Sequence, residues 1–276
     1  MPVGWYTVPG RRDGGRVRAV SDERPDELPG QHDDPDDVDP ASAQGRIPDV
    51  FDQTFLTDVE DVTELILVRH GQQAWRYARG GPVGDTIDPP LSDVGRRQAE
   101  LVGLRFSTER VDVVYASPLQ RAYDTGYQIA RHHGLTPVVI EDLREVELYR
   151  DIPPDKSVID TLGEQLVLGV RERMRRERSW DVYPLSESSF DFRKRTVNAI
   201  EGIVAVNPAK RVVVACHGGV INAYIAHLLG IREDMFFRPA HTSVHVVLAA
   251  NGVRSLRSLN DVHHLHHPHE AKLITH

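Results

Sequence analysis

Two stretches of this sequence end an apolar run on the same dipeptide, and that recurrence constrains the fold more than any other feature. In Thr63-Glu64-Leu65-Ile66-Leu67-Val68-Arg69-His70-Gly71, four consecutive apolar residues precede a polar end. A run apolar at every position suits a central strand covered on both faces, whereas a strand with one wet face alternates. Arg211 to Cys216 repeats the pattern and stops at His217-Gly218-Gly219, ahead of a helical run from Val220 to Leu229. If both strands lie in one parallel sheet, both imidazoles reach its carboxyl edge, where open α/β sheets bind ligands. Arg69 and His70 then bring a cation and an imidazole to a candidate anion site.

The rest of the chain alternates helical and extended patterns. Ser92 is a good N-cap for a helix running to about Phe106, and Val111 to Ala116 reads as a strand. Ser117-Pro118 reads as an N-cap followed by proline at the first helical position, opening a helix to about His133. Arg121 falls in its first turns, near free amides that attract anions. A short strand is expected over Pro137 to Ile140, and helices over Leu162 to Arg178 and Ser189 to Val206. Ser243 to Leu248 and Val253 to Leu259 flank Asn251-Gly252, a hairpin signal. The fold class expected is α/β, a three-layer sandwich with a mostly parallel central sheet and an antiparallel edge hairpin.

The charge is unevenly placed. Residues 21–40 hold nine acids against Arg24, and the first 60 residues together carry the whole formal charge of −8, so residues 61–276 sum to zero. Residues 1–60 are expected to be a largely disordered acidic arm, since they bury too little to offset ordering entropy, although Trp5 to Val8 and Val50 to Leu56 are apolar enough to dock. Residues 61–265 are expected to form the catalytic domain, and residues 266–276 a histidine-rich tail. With no basic excess in the domain, nucleic acid is not an expected partner. Neither a bilayer-length apolar run nor a signal-like start is present, so no membrane association is expected. The single cysteine, Cys216, rules out an internal disulfide and fits a cytoplasmic location. Its place on a strand next to His217 turns it toward the opposite face, as a core thiol and not a nucleophile. Oligomeric state is not legible.

Arg69, Arg121, His70 and His217 thus converge from three strand ends. Two guanidiniums and two imidazoles suit a dianion, and a phosphate monoester is the natural candidate. A neutral imidazole whose other nitrogen donates to a fixed acceptor can attack phosphorus, while the cations stabilise the equatorial oxygens. The leaving alkoxide needs an acid, and the acidic segment Glu141 to Asp151 offers Glu145 or Glu147.

Leu67-Val68-Arg69-His70-Gly71, Ser117-Pro118-Leu119-Gln120-Arg121-Ala122, Leu143-Arg144-Glu145-Val146 and Cys216-His217-Gly218-Gly219-Val220 resemble, in order and spacing, the motifs of the histidine phosphatase superfamily, the phosphoglycerate-mutase-like proteins. The resemblance covers Thr63 to Leu265 and closes on Asn260 to Leu265. It implies that His70 is the residue phosphorylated, that Arg69, Arg121 and His217 line the phosphate pocket, and that Glu145 is the proton donor. It implies no metal and no organic cofactor. Gln72-Gln73 and Trp75-Arg76 replace the family's usual residues after the first His-Gly, including an asparagine that contacts phosphate. Gln73 and Arg76 are therefore candidate phosphate contacts, and Arg76 could instead read a second anionic group. Glu147 stays open as a rival to Glu145, because the sequence after the acid also departs from the pattern.

The expected activity is a phosphomonoester hydrolase acting through phosphohistidine on a small molecule, with a phosphoprotein substrate also open. The alternatives are a 2,3-bisphosphoglycerate-dependent phosphoglycerate mutase and a phosphoprotein-binding module with little turnover. The arginines between Arg171 and Arg178 alternate with glutamates at helical spacing and read as a solvated face. The histidines from His263 to His269 lack fixed spacing and a cysteine partner, and are not expected to bind metal.

Overall fold

The computed structural model describes residues 50–57, 59–74, 81–266 and 273–276. In chain order the elements are helix α1 (Val50–Phe55), strand β1 (Thr63–Arg69), helices α2 (Gly84–Ile87) and α3 (Asp93–Phe106), strand β2 (Val113–Ala116), helix α4 (Gln120–Ala130) and strand β3 (Val138–Val139). There follow helices α5 (Val158–Leu162), α6 (Glu164–Glu177) and α7 (Ser189–Ala205), strand β4 (Arg211–Cys216), helix α8 (Gly218–Leu229), and strands β5 (Val244–Ala250) and β6 (Val253–Asp261). The strands form one sheet in the order β3-β2-β4-β1-β5-β6. The first four in that order are parallel, β5 is antiparallel to β1, and β6 is antiparallel to β5. This is the expected mostly parallel sheet with a hairpin at one edge.

The unbroken apolar run of β1 has a direct cause, because successive side chains point to opposite faces and both faces are covered. Leu65 and Leu67 join Val212, Val214 and Cys216 in a core with Ile200 of α7 and Ile221 and Tyr224 of α8. Ile66 and Val68 join Val213 in a second core with Val102 and Phe106 of α3 and Ile129 of α4. One pair of helices thus lies on each side of the sheet, giving three layers. Cys216 is buried, and desolvation raises its thiol pKa, as a core thiol requires.

Local signals hold in most places. Ser92 caps α3, its hydroxyl accepting the Gly95 N–H at 3.0 Å. The two-residue turn between β5 and β6 has Asn251 at φ 48° and Gly252 at φ 79°, the doubly positive geometry that asparagine and glycine tolerate best. Ser117-Pro118 behaves differently from the expectation. Helix α4 starts at Gln120, with Leu119 in the N-cap position. The Ser117 N–H instead continues β2 by donating to the Ala215 carbonyl at 3.0 Å. Its hydroxyl lies 2.8 Å from His217 Nε2, so the serine serves a histidine as well as a helix entry.

Residues 1–49, which hold most of the expected arm, lie outside the described residues, as do His267 and His269. Within the described part, Leu56 beside α1 is buried. Residues 273–276 return to the domain: Leu273 is buried, and its carbonyl accepts from Gln98 Nε2 at 2.5 Å. Among the described residues no helix is long and apolar enough to cross a membrane.

The turn out of β1 passes so close to α3 that a Cβ on Gly95 would stand 1.9 Å from the Gln72 carbonyl oxygen. Both atoms belong to backbone, so neither side can yield by rotating a side chain. Gly95→Ala is expected to cost about 1–3 kcal/mol, the usual cost of overpacking. Urea denaturation checks this, and an unchanged midpoint would show that the contact relaxes freely.

Candidate active site

The parallel register of β1 and β4 sets Arg69 opposite Cys216, so the two strands end together. The His70 N–H extends the ladder by donating to the Cys216 carbonyl at 2.9 Å. The His70 and His217 rings consequently lie 5.1 Å apart between centroids. Arg121, from the first turn of α4, brings its Nε to 3.4 Å from His70 Nε2. All three side chains are buried at the carboxyl edge of the sheet, and the Arg69 side chain joins them there, with its Nε 3.5 Å from where a Cβ on Gly218 would stand.

The tautomer of His70 follows from its partner. Nδ1 lies 2.7 Å from the Gly71 carbonyl oxygen, which can only accept, so Nδ1 carries the hydrogen. Nε2 is left with its lone pair, facing Arg121. Burial first, and then the charges of Arg121, His217 and Arg69, hold the His70 pKa well below its ordinary value. The ring is a neutral base whose free nitrogen lies among cations.

The Ser117 hydroxyl oxygen accepts from the Leu119 N–H at 3.3 Å and lies 2.8 Å from His217 Nε2. The other ring nitrogen, Nδ1, is buried with no hydrogen-bond partner among the described residues. His217 is kept neutral by burial and by Arg121 and Arg69. Arg69 is anchored by Nη1 on the Pro239 carbonyl at 2.5 Å, whereas its buried Nε has no hydrogen-bond partner among the described residues. Desolvation lowers the Arg69 pKa to about 10, and Glu145 opposes that shift. Arg121 is likewise lowered by burial and supported by Glu145 and Asp88.

Glu145 and Glu147 have different surroundings. Glu145 Oε2 accepts from the Gly219 N–H at 3.0 Å, at the N-terminus of α8 beside His217. A Cβ on Gly219 would fall 2.2 Å from Glu145 Oε1, so glycine is what admits the carboxylate. Glu147 faces away, its carboxylate 3.4 Å from Arg144 and 3.9 Å from Arg150. Gln73 pairs by backbone with Leu91, and its side-chain Oε1 has no hydrogen-bond partner among the described residues. Arg76, with Trp75 and Tyr77, lies outside the described residues.

Sequence reasoning passed over the residues that hold these groups in place. Thr125 accepts the Gly71 N–H at 3.1 Å and donates to the Arg121 carbonyl at 2.8 Å, tying the turn after β1 to α4. Asn222 accepts from the N–H groups of Phe236 and Phe237 and donates to the Gly218 carbonyl, which fixes the segment that anchors Arg69. His241 was missed altogether, and its ring lies 5.7 Å from that of His70. A signal existed: the antiparallel strand after the site begins at the edge where β1 ends, so residues just before it were candidates.

The sequence profile of the histidine phosphatase superfamily (branch 1) matches residues 65–262, most of the chain. The chain belongs to that superfamily. A metal-independent phosphoserine phosphatase of Arabidopsis thaliana is 33% identical to this superfamily member over 167 residues, which are 59% of this chain and 67% of that protein. Phosphoglycerate mutase-like protein 4 of the same plant is 31% identical over 171 residues, 60% and 72% of the two chains. Among solved structures, YhfR of Bacillus stearothermophilus matches with a TM-score of 0.61 at 25% identity, over 73% of this chain and 98% of that one. The histidine phosphatase fold expected from the motifs is therefore the fold observed.

Burial of neutral histidines links this site to stability. His241 and His245 are held at about 3 and His264 at about 4, in each case chiefly by burial. In the unfolded chain imidazoles titrate at about 6.5. Below that pH the unfolded state binds more protons than the folded one, so stability falls as pH falls. Each such ring forfeits about 2 kcal/mol by pH 5. The urea midpoint is expected to be lower at pH 5 than at pH 7.5, and equal midpoints would mean that these rings titrate normally in the fold.

Proposed function

We propose that this protein hydrolyses small phosphate monoesters through a phosphohistidine on His70. The observation that carries the proposal is the Nδ1–H bond from His70 to the Gly71 carbonyl, which leaves Nε2 as a neutral, fixed nucleophile beside Arg121. In the first step the Nε2 lone pair forms a P–N bond as the P–O bond to the alcohol breaks. Glu145 is the general acid, giving a proton to the departing oxygen. Arg69, Arg121 and His217 take up charge on the non-bridging oxygens. In the second step water attacks phosphorus, its proton returns to Glu145, and the P–N electron pair returns to Nε2 with release of inorganic phosphate. No step draws on a metal or organic cofactor. Similarity to a metal-independent phosphoserine phosphatase supports this reading.

Turnover of p-nitrophenyl phosphate in the presence of EDTA tests it. Wild-type protein is expected to turn over and His70→Ala to lose activity, with a phosphoenzyme trapped by rapid alkaline quench in the wild type only. Near-normal turnover by His70→Ala sinks the mechanism. Mutase activity dependent on added 2,3-bisphosphoglycerate would reassign the reaction.

The acid is tested by comparing leaving groups. Glu145→Gln is expected to slow hydrolysis of an alkyl phosphate by about 10²–10⁴-fold, the usual contribution of a general acid. It should slow p-nitrophenyl phosphate far less, because nitrophenolate leaves without a proton. Glu147→Gln should affect neither substrate, and the reverse pattern would transfer the role to Glu147.

A further inference from the structure

His241 belongs to none of the motifs that carry the family likeness, yet it stands at the same sheet edge as the nucleophile. It lies three residues before β5, and β5 runs antiparallel to β1 with Val68 opposite Val244. The segment entering β5 is therefore level with the carboxyl end of β1. Its backbone is pinned there, since the Thr242 N–H donates to the His70 carbonyl and the Arg69 N–H to the Ser243 carbonyl. The His241 side chain is only 4% exposed.

The two ring nitrogens differ in their partners. Nδ1 is 2.8 Å from Thr275 Oγ1, while Nε2 is buried without a hydrogen-bond partner among the described residues. Thr275 Oγ1 accepts from Gln98 Nε2 at 2.9 Å and has one hydrogen of its own to give, which His241 Nδ1 can accept. In that arrangement the imidazole hydrogen sits on Nε2. Other buried histidines provide the contrast. His245 accepts at Nδ1 from the Asn260 N–H and has Ser243 Oγ at Nε2, so both nitrogens are satisfied within the fold. His264 has Arg105 at one nitrogen and Thr242 at the other. A donor left buried and unpaired carries a desolvation cost that an anionic ligand would relieve. Arg69 Nε and His217 Nδ1 share that condition around His70.

We infer that His241 is a third imidazole of the phosphate pocket, its Nε2–H donating to a non-bridging oxygen of the substrate's phosphoryl group, with Thr275 and Gln98 as positioning residues that fix its tautomer. The inference rests on the phosphomonoesterase reading above. Burial and Arg69 keep the ring neutral, so it contributes a directed hydrogen bond without adding a third charge. Loss of Thr275 would free the ring to hold its hydrogen on Nδ1 and turn a lone pair toward the anion.

The test uses the full chain, with inorganic phosphate as a competitive inhibitor of p-nitrophenyl phosphate turnover. His241→Ala is expected to raise both the phosphate inhibition constant and KM about tenfold or more, with a smaller effect on kcat, as for a lost hydrogen bond to a charged group. His241→Gln, which can offer an amide N–H near the Nε2 position, should recover much of that loss. Thr275→Val should weaken phosphate in the same direction while keeping the imidazole. ¹⁵N-edited spectra of wild-type protein should show His241 as the Nε2–H tautomer, with that resonance shifting on addition of phosphate. An inhibition constant within twofold of wild type in His241→Ala overturns the inference and makes His241 a core residue. If that variant does not fold, an Nε2–H resonance unmoved by phosphate in wild-type protein overturns it equally. A wild type that neither turns over nor binds phosphate would instead bring down the phosphomonoesterase reading, and this inference with it.

Discussion

Parallel pairing of β1 with β4 runs from Glu64 opposite Arg211 to Arg69 opposite Cys216, and one more backbone bond carries it to His70. Everything at the site depends on that register. A slip of one residue would turn Leu65 and Leu67 toward the helices that now cover Ile66 and Val68, and would separate the two imidazoles by the same step. The fully buried side chains of both strands thus fix the core and the spacing of His70 and His217 by one constraint. Stability and chemistry cannot be varied independently here.

The pocket concentrates positive charge where water is scarce. Arg69 and Arg121 are both largely desolvated, and Glu145 is the carboxylate whose charge supports both. Such an arrangement is costly for the isolated fold, because buried cations want full pairing. The protein limits the cost in two ways. Its imidazoles stay neutral, and the guanidiniums lean on backbone carbonyls, Pro239 for Arg69 and Ile87 for Arg121. The unpaired donors that remain, Arg69 Nε among them, are of the kind an anion would satisfy.

Much of this was legible in the sequence because it rested on local rules. Continuous apolar runs identified β1 and β4 as doubly covered strands, and Asn251-Gly252 fixed the hairpin. The motifs brought together Arg69, His70, Arg121 and His217. What escaped was set by tertiary contacts. Ser117-Pro118 has the composition of a helix start, but His217 and the β2 ladder claim the serine, so α4 begins later. The seat of the Glu145 carboxylate depends on Gly219, some seventy residues away in sequence, whose N–H it accepts and whose missing side chain leaves it room. Gln73 contributes no hydrogen bond from its Oε1 within the described fold, and nothing in its local sequence could have revealed that. His241 matters through its partners Thr275 and His70, and no short-range pattern encodes either contact.

The nucleophile proposed here, His70, stands where the sheet ladder ends rather than far out on a loop. The His70 backbone continues the ladder to Cys216, its ring is held at Nδ1 by the Gly71 carbonyl, and Gly71 is tied in turn to Thr125. On that reading, the choice of alcohol is made by side chains other than those on the strand ends. A scaffold of this kind separates what it does to phosphorus from whose phosphate it accepts, and new specificities can arise on it by changing those other side chains while the reaction centre is inherited intact.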